Sequence, residues 1–257
     1  MPITVRIIAV LGSTVSSRPG AELCLSAVIR DAAIIGTFTG SRVAEYAQAS
    51  KPAGVEYSTV PINPASGDQG GKAIAFIRDD FGFYSSLRIE VFGSEITAAA
   101  YIRVRFRYTK GSRNFVFRIY AAIPMSPFCP VQAGSRVVRR WSTLQVDPAA
   151  PLFCFRNGFF AKKPSFLSDT QMTAALRQAA LKAYPSPNHI IHQQEKAIHS
   201  QSLRVFACLC LKLGGWDEEA ISHQLRWNSD AVKYYIRQAP FQADAIGATL
   251  FTKALVI

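Results

Sequence analysis

Acidic residues are scarce in this sequence, which has 17 Asp and Glu against 29 Lys and Arg among its 257 residues. The formal net charge is therefore +12, and the isoelectric point is about 9.7. The basic residues are spread through segments that look folded, so a solvated basic tail does not account for them. A globular chain with this charge favours an acidic partner, with nucleic acid ahead of an anionic membrane.

A regular cysteine framework is also missing, because the five cysteines are an odd number without regular spacing. That usage favours a reducing compartment, and we interpret Cys208 and Cys210 as small core residues of a helix. The first residues form an apolar run that Arg6 interrupts. The run is too short to span a membrane and makes a poor signal peptide. We therefore expect an intracellular protein that does not bind a membrane.

Several common catalytic signatures do not occur in the sequence. It has no glycine-rich phosphate loop, and no Ser-His-Asp arrangement can be argued. His189 and His192 have a spacing that a metal could use, but no further set of ligands accompanies them. We therefore expect neither a metal nor another cofactor. Internal repeats are absent too, while 49% hydrophobic residues allow a sizeable core.

Besides a short turn at residues 39–46 that opens another helix, hydrophobic periodicity predicts three helices before residue 190. They are residues 20–36, a helix that residues 127–131 introduce and that runs to about Leu144, and residues 168–184 with Ser168 as its cap. Residues 50–72 are rich in Pro, Gly and Ser and are predicted to form a long surface loop. Residues 73–79 are predicted to be a strand.

Strict alternation of apolar and basic residues predicts a β-hairpin. Residues 100–108 (AYIRVRFRY) alternate throughout, and residues 115–120 alternate again. The turn between them places Lys110 at the tip. The polar positions of the first strand are Arg103, Arg105 and Arg107. These arginines line one face, which is either solvated or set against a phosphate backbone.

Residues 199–237 predict three successive helical segments. The first opens near Ser202 and ends at Gly214 and Gly215, because glycine tolerates the left-handed cap. Its inner positions at helical spacing are Phe206, Leu209, Cys210 and Leu213. Asp217 caps the second segment, and a third follows. An arginine at the start of one helix and a tyrosine on a later one are thereby brought towards a common place.

Five short motifs in chain order resemble the tyrosine recombinase (phage integrase) family. The family runs from an Arg box through a Lys in a β-hairpin, a His-x-x-Arg box and a His or Trp to a nucleophilic Tyr. The matching positions are Arg42 in TGSRVAEY, Lys110 in YTKGSRN, Gln201 and Arg204 in QSLRV, Trp227 in LRWNS, and Tyr235 in KYYIR. FCPV and PLFCF also resemble the linking region of recombinase-like proteins from mobile elements in protists and algae. The likeness covers about residues 20–240.

The resemblance implies an α+β fold, a mostly helical catalytic domain with a small antiparallel β-sheet that includes the hairpin of Lys110. It implies binding to duplex DNA, and breaking and rejoining of DNA through a 3′-phosphotyrosyl intermediate, as in site-specific recombination and DNA integration. The expected location is therefore with DNA, in a nucleus or nucleoid. Residues 1–257 are expected to form a single domain, without the helical module that precedes it in most members.

The resemblance also assigns a role to each matching residue. Tyr235 corresponds to the nucleophile, and Arg42 and Arg204 correspond to the clamp on the phosphate. Lys110 corresponds to the acid that protonates the leaving 5′ oxygen. Trp227 corresponds to a residue that packs there or donates its indole N–H to a phosphate oxygen. Glu45 matches the acidic residue that supports the first arginine.

One position departs from the family pattern and leaves alternatives open. Gln201 stands where the family has His, and an amide cannot take a proton at neutral pH. His199 could replace it only if the helix start is irregular, and Tyr234 is a rival nucleophile beside Tyr235. A DNA-binding module whose chemistry has lapsed is therefore one alternative reading. A type IB topoisomerase-like enzyme, which uses the same residues, is the other.

DNA binding is predicted to use mainly phosphate contacts, with little choice of sequence. The basic residues expected to make them are Arg103, Arg105, Arg107, Arg113, Lys162, Lys163 and Arg177. Residues 241–257 are predicted to form a C-terminal helix with little polar surface. We expect that helix to bury its apolar face within the chain or against a second copy, forming a homo-oligomer.

Overall fold

The structure is a computed structural model, and it describes residues 3–15, 20–47, 59–61, 71–73, 75–107, 116–158, 161–227 and 232–233. Its α-helices are α1 (Val5–Ser13), α2 (Leu25–Thr39), α3 (Val43–Tyr46), α4 (Pro130–Thr143), α5 (Asp169–Ala183), α6 (Ile190–Gln194), α7 (Ser202–Leu213) and α8 (Glu218–Leu225). Its strands are β1 (Thr59–Pro61), β2 (Gly71–Ala73), β3 (Phe81–Tyr84), β4 (Glu90–Val91), β5 (Tyr101–Phe106), β6 (Val116–Ala121), β7 (Cys154–Arg156) and β8 (Pro164–Phe166). The predicted α+β class is confirmed.

Helix α2 lies at the centre of the fold and packs against α1, α4 and α7. Most side chains from Ala27 to Thr39 are buried, because this helix is apolar on nearly all sides and not along one stripe. Asp31 is a fully buried charge within it. Its carboxylate accepts from Arg136 Nε at 2.9 Å and from Arg140 Nη2 at 2.7 Å. A buried carboxylate requires such partners, so the two arginines fix α4 against α2.

Four strands form an antiparallel sheet in the order β4-β3-β5-β6, while β1 with β2 and β7 with β8 form two-stranded pairs. Strand β5 buries Ile102, Val104 and Phe106 on the face towards the core. Helix α4 packs on this face and approaches it at Gly134, where an added Cβ would collide with Ile102. The predicted pairing within the hairpin is confirmed by the register of β5 with β6.

The strand predicted over residues 73–79 is wrong, because a short 3₁₀ helix, Arg78–Asp80, separates β2 from β3. Ala75, Phe76 and Ile77 are buried, yet the backbone of Phe76 pairs with segments that are not strands. The Phe76 N–H donates to Glu45 O at 2.7 Å, and Phe76 O accepts from the Leu152 N–H at 2.7 Å. The apolar run in this segment therefore reflects burial and not a β-ladder.

The predicted helices are confirmed where local capping signals define them. Pro130 occupies the first position of α4, where its missing N–H has no partner to lose. Ser168 Oγ accepts from the Gln171 N–H at 3.2 Å and caps α5. Asp217 Oδ1 accepts from the Ala220 N–H at 2.7 Å and caps α8. Cys208 and Cys210 are buried in α7 as interpreted.

Two features of the helices differ from the sequence analysis. Leu213 was placed on the inner face of α7, but it is 50% exposed because α7 ends beside it at Gly214. Helix α1 is not among the predicted helices, although Ile7, Ile8 and Leu11 are buried at helical spacing. Within the part of the chain that the structure describes, no helix combines the length and hydropathy needed to cross a membrane.

Candidate active site and nucleic-acid interface

Arg42 lies where α2 turns into α3. Gly40 ends α2 with φ +55, a left-handed conformation that glycine adopts without strain. The Arg42 backbone N–H then donates to the Glu45 carboxylate at 2.7 Å and fixes the first turn of α3. The Arg42 side chain is partly exposed, and it forms no ion pair with any residue in the described ranges. Its guanidinium is therefore open to an anion.

Arg204 lies in the first turn of α7 and is only 7% exposed. Its Cζ lies 4.7 Å from the centroid of the Trp227 ring, in a cation–π contact. Its Nη2 lies 3.5 Å from Leu225 O, at the end of α8. Two residues that the sequence analysis assigned to one site are thus in direct contact. The contact holds the planar guanidinium in one orientation.

Arg226 is a buried cation that the sequence analysis did not single out. It follows α8 with φ +59, unusual for a residue other than glycine, and it is 5% exposed. Its Nη2 pairs with Glu45 Oε2 at 3.0 Å, and its guanidinium lies over the Phe106 ring. Nε and Nη1 have no hydrogen-bond partner among the described residues. Burial lowers the pKa of Arg226, and the Glu45 charge opposes that effect.

Glu45 connects these residues, although not in the way that the sequence predicted. It was expected to support the Arg42 side chain, but it holds the Arg42 backbone and pairs with the Arg226 guanidinium. The positive charge of Arg42 is close enough to contribute to the lowered pKa of Arg226. Trp227 directly follows Arg226, and its ring contacts the Arg204 guanidinium. We call Arg42, Arg204, Arg226 and Trp227 the cationic cluster.

Two further contacts fix the helices that carry the cationic cluster. An added Cβ at Gly40 would collide with the Leu225 side chain, so α8 ends directly against the turn before Arg42. The buried Tyr46 hydroxyl of α3 donates to Ser200 O at 3.0 Å, just before α7 begins. The three arginines therefore lie on elements that are packed together and not on independent loops.

Gln201 lies at the start of α7 and is exposed. Its backbone O accepts the Arg204 N–H at 3.0 Å, and His199 O and Ser200 O likewise accept from the residues three positions later, so α7 begins with a tight turn of 3₁₀ type. The His199 N–H donates to Ser202 Oγ at 3.2 Å. Burial lowers the pKa of His199, and its charged neighbours include Asp169 and Arg177 of α5. The start of α7 is thus tighter than a regular α-helical turn and includes His199, on which the charges of Asp169 and Arg177 act from α5.

Some predicted residues cannot be compared with the structure. Lys110, Arg113, Tyr234, Tyr235 and residues 241–257 lie outside the described residues. Their assigned roles stay predictions.

The three arginines on or after β5 have different environments, which corrects the prediction of one open basic face. Arg105 Nε and Arg107 Nε pair with the two oxygens of the buried Asp80 at 3.0 and 2.8 Å. Arg107 is 5% exposed, and its Nη2 also donates to Ala75 O. It stabilises the fold and is not on the surface. Arg103 remains partly exposed on the outer face.

The other predicted DNA contacts also divide into two kinds. Lys162 and Lys163 are exposed in the turn between β7 and β8, where a phosphate can reach them. Arg177 on α5 donates from Nε to Ile198 O and from Nη2 to Lys196 O, both at 2.9 Å. Its guanidinium therefore holds the segment before α7, so Arg177 contributes to the position of Arg204 more directly than to a surface.

The two histidines with metal-like spacing serve the local fold. His189 Nδ1 accepts from the Ile191 N–H at 3.2 Å, and its ring stacks on Tyr184. His192 Nε2 lies 2.8 Å from Tyr184 O. Within the described ranges, no three His, Cys, Asp or Glu side chains are grouped as metal ligands.

Arg226 could have been noticed in the sequence as the basic residue directly before Trp227 in LRWNS. No local pattern in the sequence indicates that Arg226 pairs with Glu45, because the two residues are 181 positions apart. Arg42 is the partly exposed arginine of the cationic cluster, and a guanidinium on a fixed element can bind an oxyanion and stabilise added negative charge.

Comparison with known proteins assigns this chain to no family. No protein-family model matches the chain, and no curated protein matches it. The resemblance to tyrosine recombinases therefore rests on the short sequence motifs alone.

Proposed function

We propose that this chain breaks and rejoins DNA in the manner of a tyrosine recombinase. The observation that carries the proposal is the cationic cluster, in which Arg42 and Arg204 come from segments more than 150 positions apart. Both were selected from the sequence for the same phosphate, and the packing of α3, α7 and α8 relates their helices. A phosphodiester that gains charge in the transition state requires such preorganised cations.

In this proposal each residue of the cluster has a separate task. Arg42 and Arg204 donate to the non-bridging oxygens of the scissile phosphate. Trp227 orients Arg204 through the ring contact. Arg226, held by Glu45, fixes the backbone directly before Trp227. Tyr235 supplies the attacking oxygen and Lys110 the proton for the leaving 5′ oxygen, both assigned from the resemblance.

The test uses nicked duplexes of randomised sequence that trap a covalent intermediate, because the target sequence is unknown. We expect a protein–DNA adduct that survives denaturation and that Tyr235→Phe abolishes. Arg42→Ala should lower adduct formation by about 100-fold or more, the usual loss when one transition-state donor is removed. Arg139→Ala is the matched control, since Arg139 is exposed on α4, and it should have no effect.

A second candidate function is a DNA-binding module whose chemistry has lapsed. The exposed Gln201 favours it, because no proton-exchanging side chain stands at that position of α7. Under this alternative the wild type binds duplex DNA without forming adduct, and Gln201→His restores it. Adduct that persists in Tyr235→Phe but not in Tyr234→Phe would contradict our choice of nucleophile. Failure of both wild type and Gln201→His to form adduct would reject the enzyme proposal.

A further inference from the structure

The outer face of the four-stranded sheet, opposite the core, carries aromatic and apolar side chains that are left open. Phe117 and Ile119 on β6 are 45% and 44% exposed. Tyr84 on β3 and Tyr101 on β5 are partly exposed and are paired in the register. Large apolar groups on a sheet surface indicate a binding site more often than isolated exposed residues do.

Arg103 lies in the middle of this outer face. Its Cζ is 5.3 Å from the centroid of the Tyr84 ring and 5.0 Å from that of Phe117. Its guanidinium lies across Gly82 of the neighbouring strand, where an added Cβ would be 3.2 Å from Nη2. Glu90 is its acidic neighbour, at 3.8 Å and 40% exposed. The aromatic and guanidinium groups therefore form one continuous surface, which we call the stacking face.

The charge around the stacking face favours a polyanion over an apolar protein surface. Among the described residues, the acidic partner of Arg103 is Glu90 at 3.8 Å, and Arg88 in the β3–β4 turn is exposed and forms no ion pair with any of them. The whole chain is also strongly basic, at +12. A ligand that supplies both flat apolar rings and negative charge is a nucleic-acid strand.

We propose that the stacking face binds the unpaired bases of a single-stranded nucleic acid. Bases within a duplex stack on one another and do not offer their faces, whereas unpaired bases stack on aromatic rings and on guanidinium planes. Phe117 and Tyr84 take the bases, Arg103 adds a planar cation between them, and Arg88 contacts the backbone. This site goes beyond the proposed cleavage of DNA and does not depend on it.

The test compares two labelled strands of about twelve nucleotides, oligo(dT) and an abasic strand with the same number of phosphates. Fluorescence anisotropy of the full chain should show tighter binding of oligo(dT). Phe117→Leu and Tyr84→Leu keep apolar area but remove the ring, and each should weaken oligo(dT) binding by about fivefold or more. Neither should change the affinity for the abasic strand. Oligo(U) of equal length determines whether the site prefers RNA.

Leu213→Ala is the matched control, because Leu213 on α7 is 50% exposed against 45% for Phe117. The affinity of this variant for oligo(dT) should equal that of the wild type. Unchanged duplex binding and adduct formation in Phe117→Leu would separate this site from the cationic cluster. Equal binding of oligo(dT) and the abasic strand by the wild type would overturn the proposal. So would a self-association that Phe117→Ser abolishes, since the face would then be an interface between copies of the chain.

Discussion

Each of three buried carboxylates, Asp31, Asp80 and Glu45, holds at least one arginine in the described part of the chain. Burying a carboxylate and a guanidinium costs free energy, and their ion pair and hydrogen bonds must offset that cost. These pairs join segments that are distant in sequence, such as Glu45 and Arg226. They determine where helices dock, and they also remove several arginines from the surface.

The pair of Glu45 and Arg226 gives a prediction at the scale of single residues. Glu45→Ala and Arg226→Ala should each lower the free energy of unfolding by about 3–5 kcal/mol, because each leaves the other charge buried alone. The double substitution should cost clearly less than the sum of the two, with a coupling of about 0.5–3 kcal/mol. Urea unfolding of the four proteins measures all three quantities.

Glu90→Ala is the control for that cycle, since Glu90 contacts Arg103 at 3.8 Å with both side chains partly exposed. Its cost should stay below about 1 kcal/mol. Strict additivity of Glu45→Ala and Arg226→Ala would show that the two side chains do not stabilise each other.

The environments of Arg105 and Arg107 show a limit of sequence reasoning at this scale. Their alternation with apolar residues correctly predicted a strand, because alternation is a local property. Their partner Asp80 lies 25 and 27 positions earlier and meets them only because β3 pairs with β5. No pattern along one strand contains that information. The contact of Arg204 with Trp227 was easier to anticipate, since both belong to one short run of helices.

At the scale of elements, α8 and the turn before α3 act as one packed unit around the cationic cluster. Gly40 has a positive φ, and its missing side chain leaves the space that Leu225 fills. We predict that Gly40→Ala lowers the free energy of unfolding by about 1–3 kcal/mol, through strain and overpacking together. It should also reduce adduct formation, because Leu225 directly precedes Arg226 and Trp227.

Gly12→Ala is the control for this substitution. Gly12 lies within α1, and no atom is near enough to meet an added Cβ. Alanine should therefore stabilise the protein by up to about 1 kcal/mol through its higher helix propensity, which thermal unfolding can detect. A Gly40→Ala protein as stable and active as the wild type would show that the close approach of Leu225 has no consequence.

The elements that the sequence predicted well are helices whose capping residues lie within a few positions of the helix end. Ser168, Asp217 and Gly214 mark helix ends through contacts within a few residues. The segment around Phe76 was mistaken for a strand because its backbone partners, Glu45 and Leu152, are remote. The same reason explains why the cationic cluster was predicted only in part.

At the scale of the whole molecule, the count of 29 Lys and Arg overstates the number of basic side chains at the surface, although each buried ion pair leaves the net charge of +12 unchanged. Arg107, Arg140 and Arg226 are buried against carboxylates, and Arg177 is bound to backbone carbonyls. Composition alone therefore predicts more phosphate contacts than the folded chain can make. In the proposed complex with DNA, exposed residues such as Lys162 carry the salt-dependent part of binding.

We predict that the affinity for duplex DNA falls steeply with salt, with a slope of log K against log salt of about −0.9 for each phosphate contact. Lys162→Gln should make that slope shallower by about 0.9 if this lysine contacts a phosphate. Arg107→Gln removes the same charge from the sequence but from a buried position, so it should leave the slope unchanged and lower the stability instead. Fluorescence anisotropy with one duplex between about 50 and 200 mM salt measures the slopes, and urea unfolding measures the stability.

An equal change of slope in both variants would mean that the net charge, and not the folded surface, governs binding. A wild-type affinity that does not vary with salt would remove the basis for DNA as the partner.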